Sequence, residues 1–145
     1  MNTAVNNTKN ILLSKGITPT FQRIVIYEFL DQNRIHPNVD TIFAMMTKQI
    51  PTISRTTIYN TLNLFMEKNL VSGLSLNGNE MNFDINTHPH HHFYCTICKK
   101  ITDIEITCPI GKNKLKNPSN HLIQEVHGYF KGICKDCLSA PSLDK

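Results

Sequence analysis

Residues 54–85 read SRTTIYNTLNLFMEKNLVSGLSLNGNEMNFDI, and the period of their apolar positions changes halfway along. In the first part Ile58, Leu62, Phe65 and Met66 fall on one face behind Ser54, a good N-cap, which predicts a helix over 55–69. In the second part the period drops to two over 71–76 and 80–85. Asn77-Gly78-Asn79 lies between them, the signal of a hairpin turn. Upstream, 8–15 predicts a short helix ended by Gly16. A second helix is expected over 20–32 from Phe21, Ile24, Val25 and Phe29, and a third over 38–49 from Val39, Ile42, Phe43 and Met46. His36-Pro37 and Pro51 break the chain between them. Helices followed by a hairpin are the layout of a winged helix-turn-helix; a generic helical domain with a hairpin is the plainer alternative.

Downstream, Asn86 to Pro89 read as a hinge. Strands are expected over 90–96 and 100–106, a helix over 109–117, and a second strand pair over 121–126 and 129–133, turning at Gly128. The fold class is therefore α+β, with a winged-helix domain at 1–85, a hinge at 86–89 and a small α/β domain at 90–145.

The chain has 145 residues, of which 40% are hydrophobic and 18% charged, and that composition excludes a disordered chain. The longest aliphatic or aromatic run is 24–27, far short of the ~20 residues a membrane helix needs. The first ten residues carry no apolar segment of the signal-peptide kind, so a soluble, cytoplasmic protein without a membrane partner is expected. Net charge is +4, which permits nucleic-acid binding without demonstrating it. Residues 1–84 hold seven Lys/Arg against six Asp/Glu, and residues 85–145 eight against five. The surplus is thus not on the winged helix.

Five cysteines in such a chain argue against a disulfide framework. Four form two C-x-x-C pairs, Cys95/Cys98 and Cys134/Cys137. Two such pairs supply four thiolates, a closed tetrahedral site for structural Zn²⁺ with no position left for catalysis. The 35 residues between Cys98 and Cys134 suggest that the pairs tip two separate hairpins. Redox dithiols are the alternative. Cys108 reads as a small buried apolar residue. Four of the seven histidines lie between His88 and His92. On a strand His90 and His92 face one side and His91 the other, so the first two form one edge of a metal site. Asp103 on the next strand can reach the same ion, and His36 and Asp84 can join from the first domain. His88, His121 and His127 read as surface residues. On the helix after Ser54, the residues Arg55, Thr56, Tyr59 and Asn60 lie opposite the apolar face. They are side chains that meet base edges and phosphates, although a solvated polar face is the commoner case.

These residues together resemble the ferric uptake regulator family. The resemblance runs from about residue 8 to 138 through T-F-Q-R (20–23), H-P-N-V-D-T-I-F (36–43), S-R-T-T-I-Y-N-T-L (54–62), N-F-D (82–84), H-P-H-H-H-F-Y-C-T-I-C (88–98), Asp103 and C-K-D-C (134–137). Phe21 stands where the family usually has Pro, a change expected to be tolerated. The resemblance implies a homodimer that binds a pseudo-palindromic double-stranded DNA operator, with Arg23, Arg55, Thr56, Tyr59 and Asn60 at the DNA. It implies that the second domain dimerises and that the four knuckle cysteines hold structural zinc. It implies a regulatory Fe²⁺ or Mn²⁺ on His36, Asp84, His90, His92 and Asp103. A further metal site of some members falls on Pro89, His91, Ile110 and Val126, so its absence is expected.

Asp at both 84 and 103, with Asn60, resembles the peroxide-stress branch, in which iron-catalysed oxidation strikes ligand histidines, here His36 and His90. The implied function is a repressor that senses hydrogen peroxide and takes no other small-molecule substrate. The alternative within the family is an iron- or zinc-responsive repressor of metal uptake. A metallohydrolase is the remote alternative: no H-E-x-x-H is present, and Asp103 and Glu105 are candidate carboxylates without an assigned base role.

Overall fold

The computed structural model describes residues 2–76, 78, 80–106, 121–122 and 128–139. The chain forms two compact units, Met1–His88 and Pro89–Lys145.

In the first unit, α1 (Asn2–Ser14) begins six residues before the expected start. Polar residues conceal the reason: Val5, Thr8 and Leu12 share one face, with Thr8 and Leu12 buried and Val5 packed on the core. Gly16 ends the helix at φ 71°, where its N–H donates to Leu13 O and that of Ile17 to Leu12 O at 2.9 Å each. This is a Schellman stop, and the buried Ile17 supplies its apolar contact. Helix α2 (Phe21–Gln32) is capped by Thr20, whose side chain accepts from the Arg23 amide. Phe21 occupies the first helical position, where Pro is also at home because that N–H needs no partner in the helix. The helix forms with Phe there, its ring exposed.

Helices α3 (Val39–Met46) and α4 (Arg55–Glu67) follow, capped by Asn38 and Ser54. α4 ends two residues before the expected point, because Asn69 turns left-handed at φ 54° and the Leu70 amide closes onto Phe65 O at 2.8 Å. The four helices bury one core, which includes Leu30, Ile42, Met46, Ile58, Leu62 and Phe65. Tyr27 meets Phe65 edge-on, with 6.0 Å between ring centroids. The hairpin of β1 (Ser72–Leu74) and β2 (Asn82–Asp84) is antiparallel and shorter than the sequence suggests. Helices and hairpin together make the winged helix-turn-helix.

The second unit is a three-stranded sheet in the order β4-β3-β5. β3 (His91–Cys95) pairs antiparallel with β4 (Ile101–Ile104) and parallel with β5 (Tyr129–Gly132). Two expectations are corrected here. His121 and Leu122, expected to open a strand, are not in one, and β5 lies beside β3. The second cysteine pair leads into a short helix, α5 (Lys135–Ser139), instead of tipping a hairpin. The Leu138 amide donates to Cys134 O at 2.9 Å, winding the second knuckle into a helical turn. The helix expected over 109–117, most of the strand over 121–126, and Cys108, Ile110, Val126 and His127 lie outside the described residues. No helix among the described residues is long and apolar enough to cross a membrane.

Candidate metal centres and nucleic-acid helix

The four knuckle cysteines converge in the second unit. Cys95 ends β3, and the turn after it closes through the Lys99 amide on Cys95 O at 3.0 Å, with Lys99 left-handed at φ 63°. Cys134 and Cys137 arrive from the start of α5. The Sγ atoms of Cys95 and Cys137 are 3.9 Å apart, and those of Cys98 and Cys134 are 3.8 Å apart. All four lie within 4.8 Å of one another. These are not disulfides, whose sulfurs stand about 2.05 Å apart. An ion about 2.3 Å from four tetrahedral sulfurs spaces them about 3.8 Å apart, so the set fits Zn²⁺.

The thiols are already differentiated. The Cys134 amide donates to Cys95 Sγ at 3.4 Å, and this bond is the main cause that lowers the Cys95 thiol from 9.0 to about 6. The thiol hydrogen bond with Cys134, then burial, push Cys137 up to about 12. The surroundings thus favour the thiolate at Cys95 and the thiol at Cys137.

The His/Asp residues form two groups, one in each unit. In the first unit His36 Nε2 lies 3.5 Å from Asp84 Oδ2, and both side chains are buried. Three hydrogen bonds set this pair. The Asn86 amide holds Asp84 Oδ1 at 2.8 Å. Asn82 Nδ2 donates to His36 O at 2.8 Å, and the Phe83 amide donates to Pro37 O at 2.9 Å. His36 itself is left-handed at φ 51°, an uncommon state for a non-glycine residue and doubly restricted before a proline. β2 therefore holds the strained His36-Pro37 turn and carries Asp84 at its end.

In the second unit the β3–β4 register sets His92 directly opposite Asp103. Asp103 Oδ1 is 3.1 Å from His90 Nε2 and 3.6 Å from His92 Nε2. The two imidazoles lie 4.3 Å apart between centroids, on one side as the alternation predicts. His91 turns to the other face and meets Phe130 edge-on at 5.8 Å. His88 and His121 are exposed. N and O donors held about 2.1 Å from one cation stand roughly 3.0–3.4 Å apart; the His90–Asp103 separation falls in that range, and the 3.5 and 3.6 Å separations of His36–Asp84 and His92–Asp103 lie just beyond it.

On α4, Arg55, Thr56, Tyr59 and Asn60 are exposed, while Ile58, Leu62 and Phe65 are fully buried on the opposite side. The Ser54 cap sets the first turn by accepting from the Thr57 amide at 3.0 Å. Arg55 is not free. Its Nε donates to Asp40 Oδ1 at 2.9 Å, and its guanidinium lies 4.0 Å from the centroid of the Phe43 ring. An exposed ion pair of this kind is worth about 0–1 kcal/mol. Arg23 lies on α2, with Nη1 donating to Thr18 O at 2.9 Å. Sequence reasoning missed the roles of Asn82, which props the His36 turn, and of Asp40, which ties down Arg55. Both stand within quoted motifs, but neither has a spacing signal of its own.

The model of the ferric uptake regulator family matches residues 14–131. The peroxide-responsive repressor PerR of Staphylococcus aureus is 32% identical over 130 residues, covering 87% of this chain and 86% of that protein. The solved peroxide stress regulator of Campylobacter jejuni has a TM-score of 0.63 at 25% identity, over 94% of this chain and 100% of that one. The solved ferric uptake regulator of Helicobacter pylori, described as having three functional metal-binding sites, has a TM-score of 0.69 over 96% of this chain and 94% of that one. At 16% identity it shows the shared fold alone. With its winged helix, its four-cysteine set and its His/Asp groups, this chain belongs to the ferric uptake regulator family of metal-dependent regulators.

Proposed function

We propose that this chain is a cytoplasmic, homodimeric repressor. It binds a pseudo-palindromic operator through Arg23, Arg55, Thr56, Tyr59 and Asn60, and it releases DNA when peroxide oxidises its regulatory histidines. His36 and Asp84 would join His90, His92 and Asp103 around one Fe²⁺ or Mn²⁺, with structural Zn²⁺ on the four cysteines. The observation that carries this reading is the shared pattern of the two groups. Each presents imidazole Nε2 to an aspartate oxygen at or just beyond ligand spacing. The donor set of three imidazoles and two carboxylates suits Fe²⁺, Mn²⁺ or Zn²⁺. The likeness to the S. aureus repressor favours peroxide over metal level as the signal.

The two groups come from different units, and this supplies a switch. A cation held by both is bound more tightly in whichever arrangement lets all five donors reach it, so it favours that arrangement over others. In a symmetric dimer such an arrangement fixes the distance between the two α4 helices, which must match the half-site spacing of DNA. Bound Fe²⁺ would supply the redox catalysis, with an imidazole carbon, not the iron, as the net two-electron reductant of each peroxide. The chain supplies imidazole carbons at His36 and His90, each able to take up one oxygen atom as the remaining oxygen leaves as water. An oxidised imidazole is a poorer donor, so the preference for the DNA-binding arrangement is lost. No member of either donor group has an assigned general-base role, and we read the chain as a regulator rather than an enzyme.

The test loads the zinc protein anaerobically with Fe²⁺ and adds up to one equivalent of peroxide. Oxygen is mapped on peptides by mass spectrometry while DNA binding is followed. Added oxygen on His36 or His90 with loss of binding is expected. Intact histidines with unchanged binding would overturn peroxide sensing and leave a metal-responsive repressor.

A further inference from the structure

The first turn of α4 carries an arginine whose guanidinium is oriented by two contacts from α3. Asp40 and Phe43 are three residues apart on α3 and therefore share a face. Asp40 accepts from Arg55 Nε at 2.9 Å, and Phe43 lies against the guanidinium with 4.0 Å from Cζ to the ring centroid. One contact takes an edge of the guanidinium and the other takes a face. Nη1 and Nη2 lie outside the Nε hydrogen bond, and together they are the parallel donor pair that matches O6 and N7 of guanine in the major groove. An arginine held this way gives up less rotamer freedom on binding than an unrestrained one.

Asp40 is otherwise hard to reconcile with this surface. An exposed carboxylate beside a phosphate-binding face repels DNA of every sequence. Its position in the first turn of α3 gives it a helix-dipole role, but that role does not require Arg55. We propose that Asp40 and Phe43 clamp Arg55 as a pre-set guanine reader, with Asp40 a positioning residue that gives up general affinity for base selectivity. This rests on the reading of α4 as the helix that enters the major groove.

The test uses the full chain loaded with Zn²⁺ and Mn²⁺. Wild-type protein first selects sequences from a random duplex library. The dissociation constant is then measured for each base at each selected position, for wild type, Arg55→Ala, Asp40→Ala and Asp40→Asn. Asp40 and Arg55 are both exposed, so the variants should keep the fold. Wild type is expected to prefer guanine at one position per half-site by about 10-fold or more. Arg55→Ala should abolish that preference alone. Asp40→Ala should cut it at least threefold at the same position and leave other positions unchanged. Asp40→Asn, which keeps an acceptor for Nε, should retain most of it. The clamp is overturned if Asp40→Ala tightens binding to all duplexes equally with the guanine preference intact. It is also overturned if Arg55→Ala alters no base preference. Failure of the wild type to select any sequence would instead overturn the reading of α4 itself, and the clamp with it.

Discussion

Asn82→Ala tests whether the strained turn at His36 is what aims that imidazole. Asn82 Nδ2 donates to His36 O at 2.8 Å, and the Phe83 amide holds the next carbonyl, that of Pro37. His36 sits at φ 51°, a backbone state that costs about 1–3 kcal/mol and persists only when its surroundings hold it. Removing the Asn82 amide forfeits one hydrogen bond, worth about 1 kcal/mol, and weakens the restraint on that strain. A drop of about 1 kcal/mol in a domain of this size lowers Tm by roughly 4–8 °C. Residues that orient metal ligands are typically worth about 10–100-fold in affinity, equivalent to about 1.4–2.8 kcal/mol. The assay titrates Mn²⁺ into the zinc-loaded chain, reads free Mn²⁺ by electron paramagnetic resonance, and follows thermal unfolding without Mn²⁺. Asn82→Ala should lower both Tm and Mn²⁺ affinity, and His36→Ala should lower affinity at least as much. A lower Tm with wild-type affinity in Asn82→Ala, while His36→Ala loses affinity, would refute the argument that the turn aims the ligand. Wild-type affinity in both variants would remove His36 from the site.

Two further outcomes follow from the packing and from the thiols. Phe65→Ala empties a fully buried position and removes the edge-on contact with Tyr27, so it should cost about 3–5 kcal/mol in denaturant unfolding of the first unit; a loss under about 1 kcal/mol would mean that the core collapses into the gap. Zinc binding to the zinc-free chain should release fewer protons at pH 8 than at pH 5, measured by calorimetry in buffers of different ionisation enthalpy. The sign follows from the shifts: Cys95, lowered from 9.0 to about 6, is already a thiolate at pH 8, while Cys137, raised to about 12, gives up its proton at either pH. For the same reason, the Cys95 contribution to the stability of the zinc-free fold is present above pH 9 and is lost as pH falls through about 6. An unchanged proton count between the two pH values would show that Cys95 is not the thiol that ionises first.

What was legible in the sequence was local. The helix of Ile58, Leu62 and Phe65 follows from spacing within three turns, and the same-side placement of His90 and His92 follows from strand alternation. The placement of Asp103 on the neighbouring strand was legible too, because it comes only five residues after Cys98 and the turn between them is short. The parallel pairing of β3 with β5 was not, because its partners His92 and Tyr129 are joined by a long excursion that leaves no mark near either strand. Asp40 and Arg55 stand fifteen residues apart on different helices, and their meeting depends on how α3 packs on α4. The left-handed turn at His36 is less legible still, since His-Pro reads as a chain break and gives no hint of a positive φ. Motifs therefore report which groups can bind a cation or a base. The contacts that aim those groups are tertiary, which is why substitutions at Asn82 and Asp40 test the mechanism more sharply than removal of the ligands themselves.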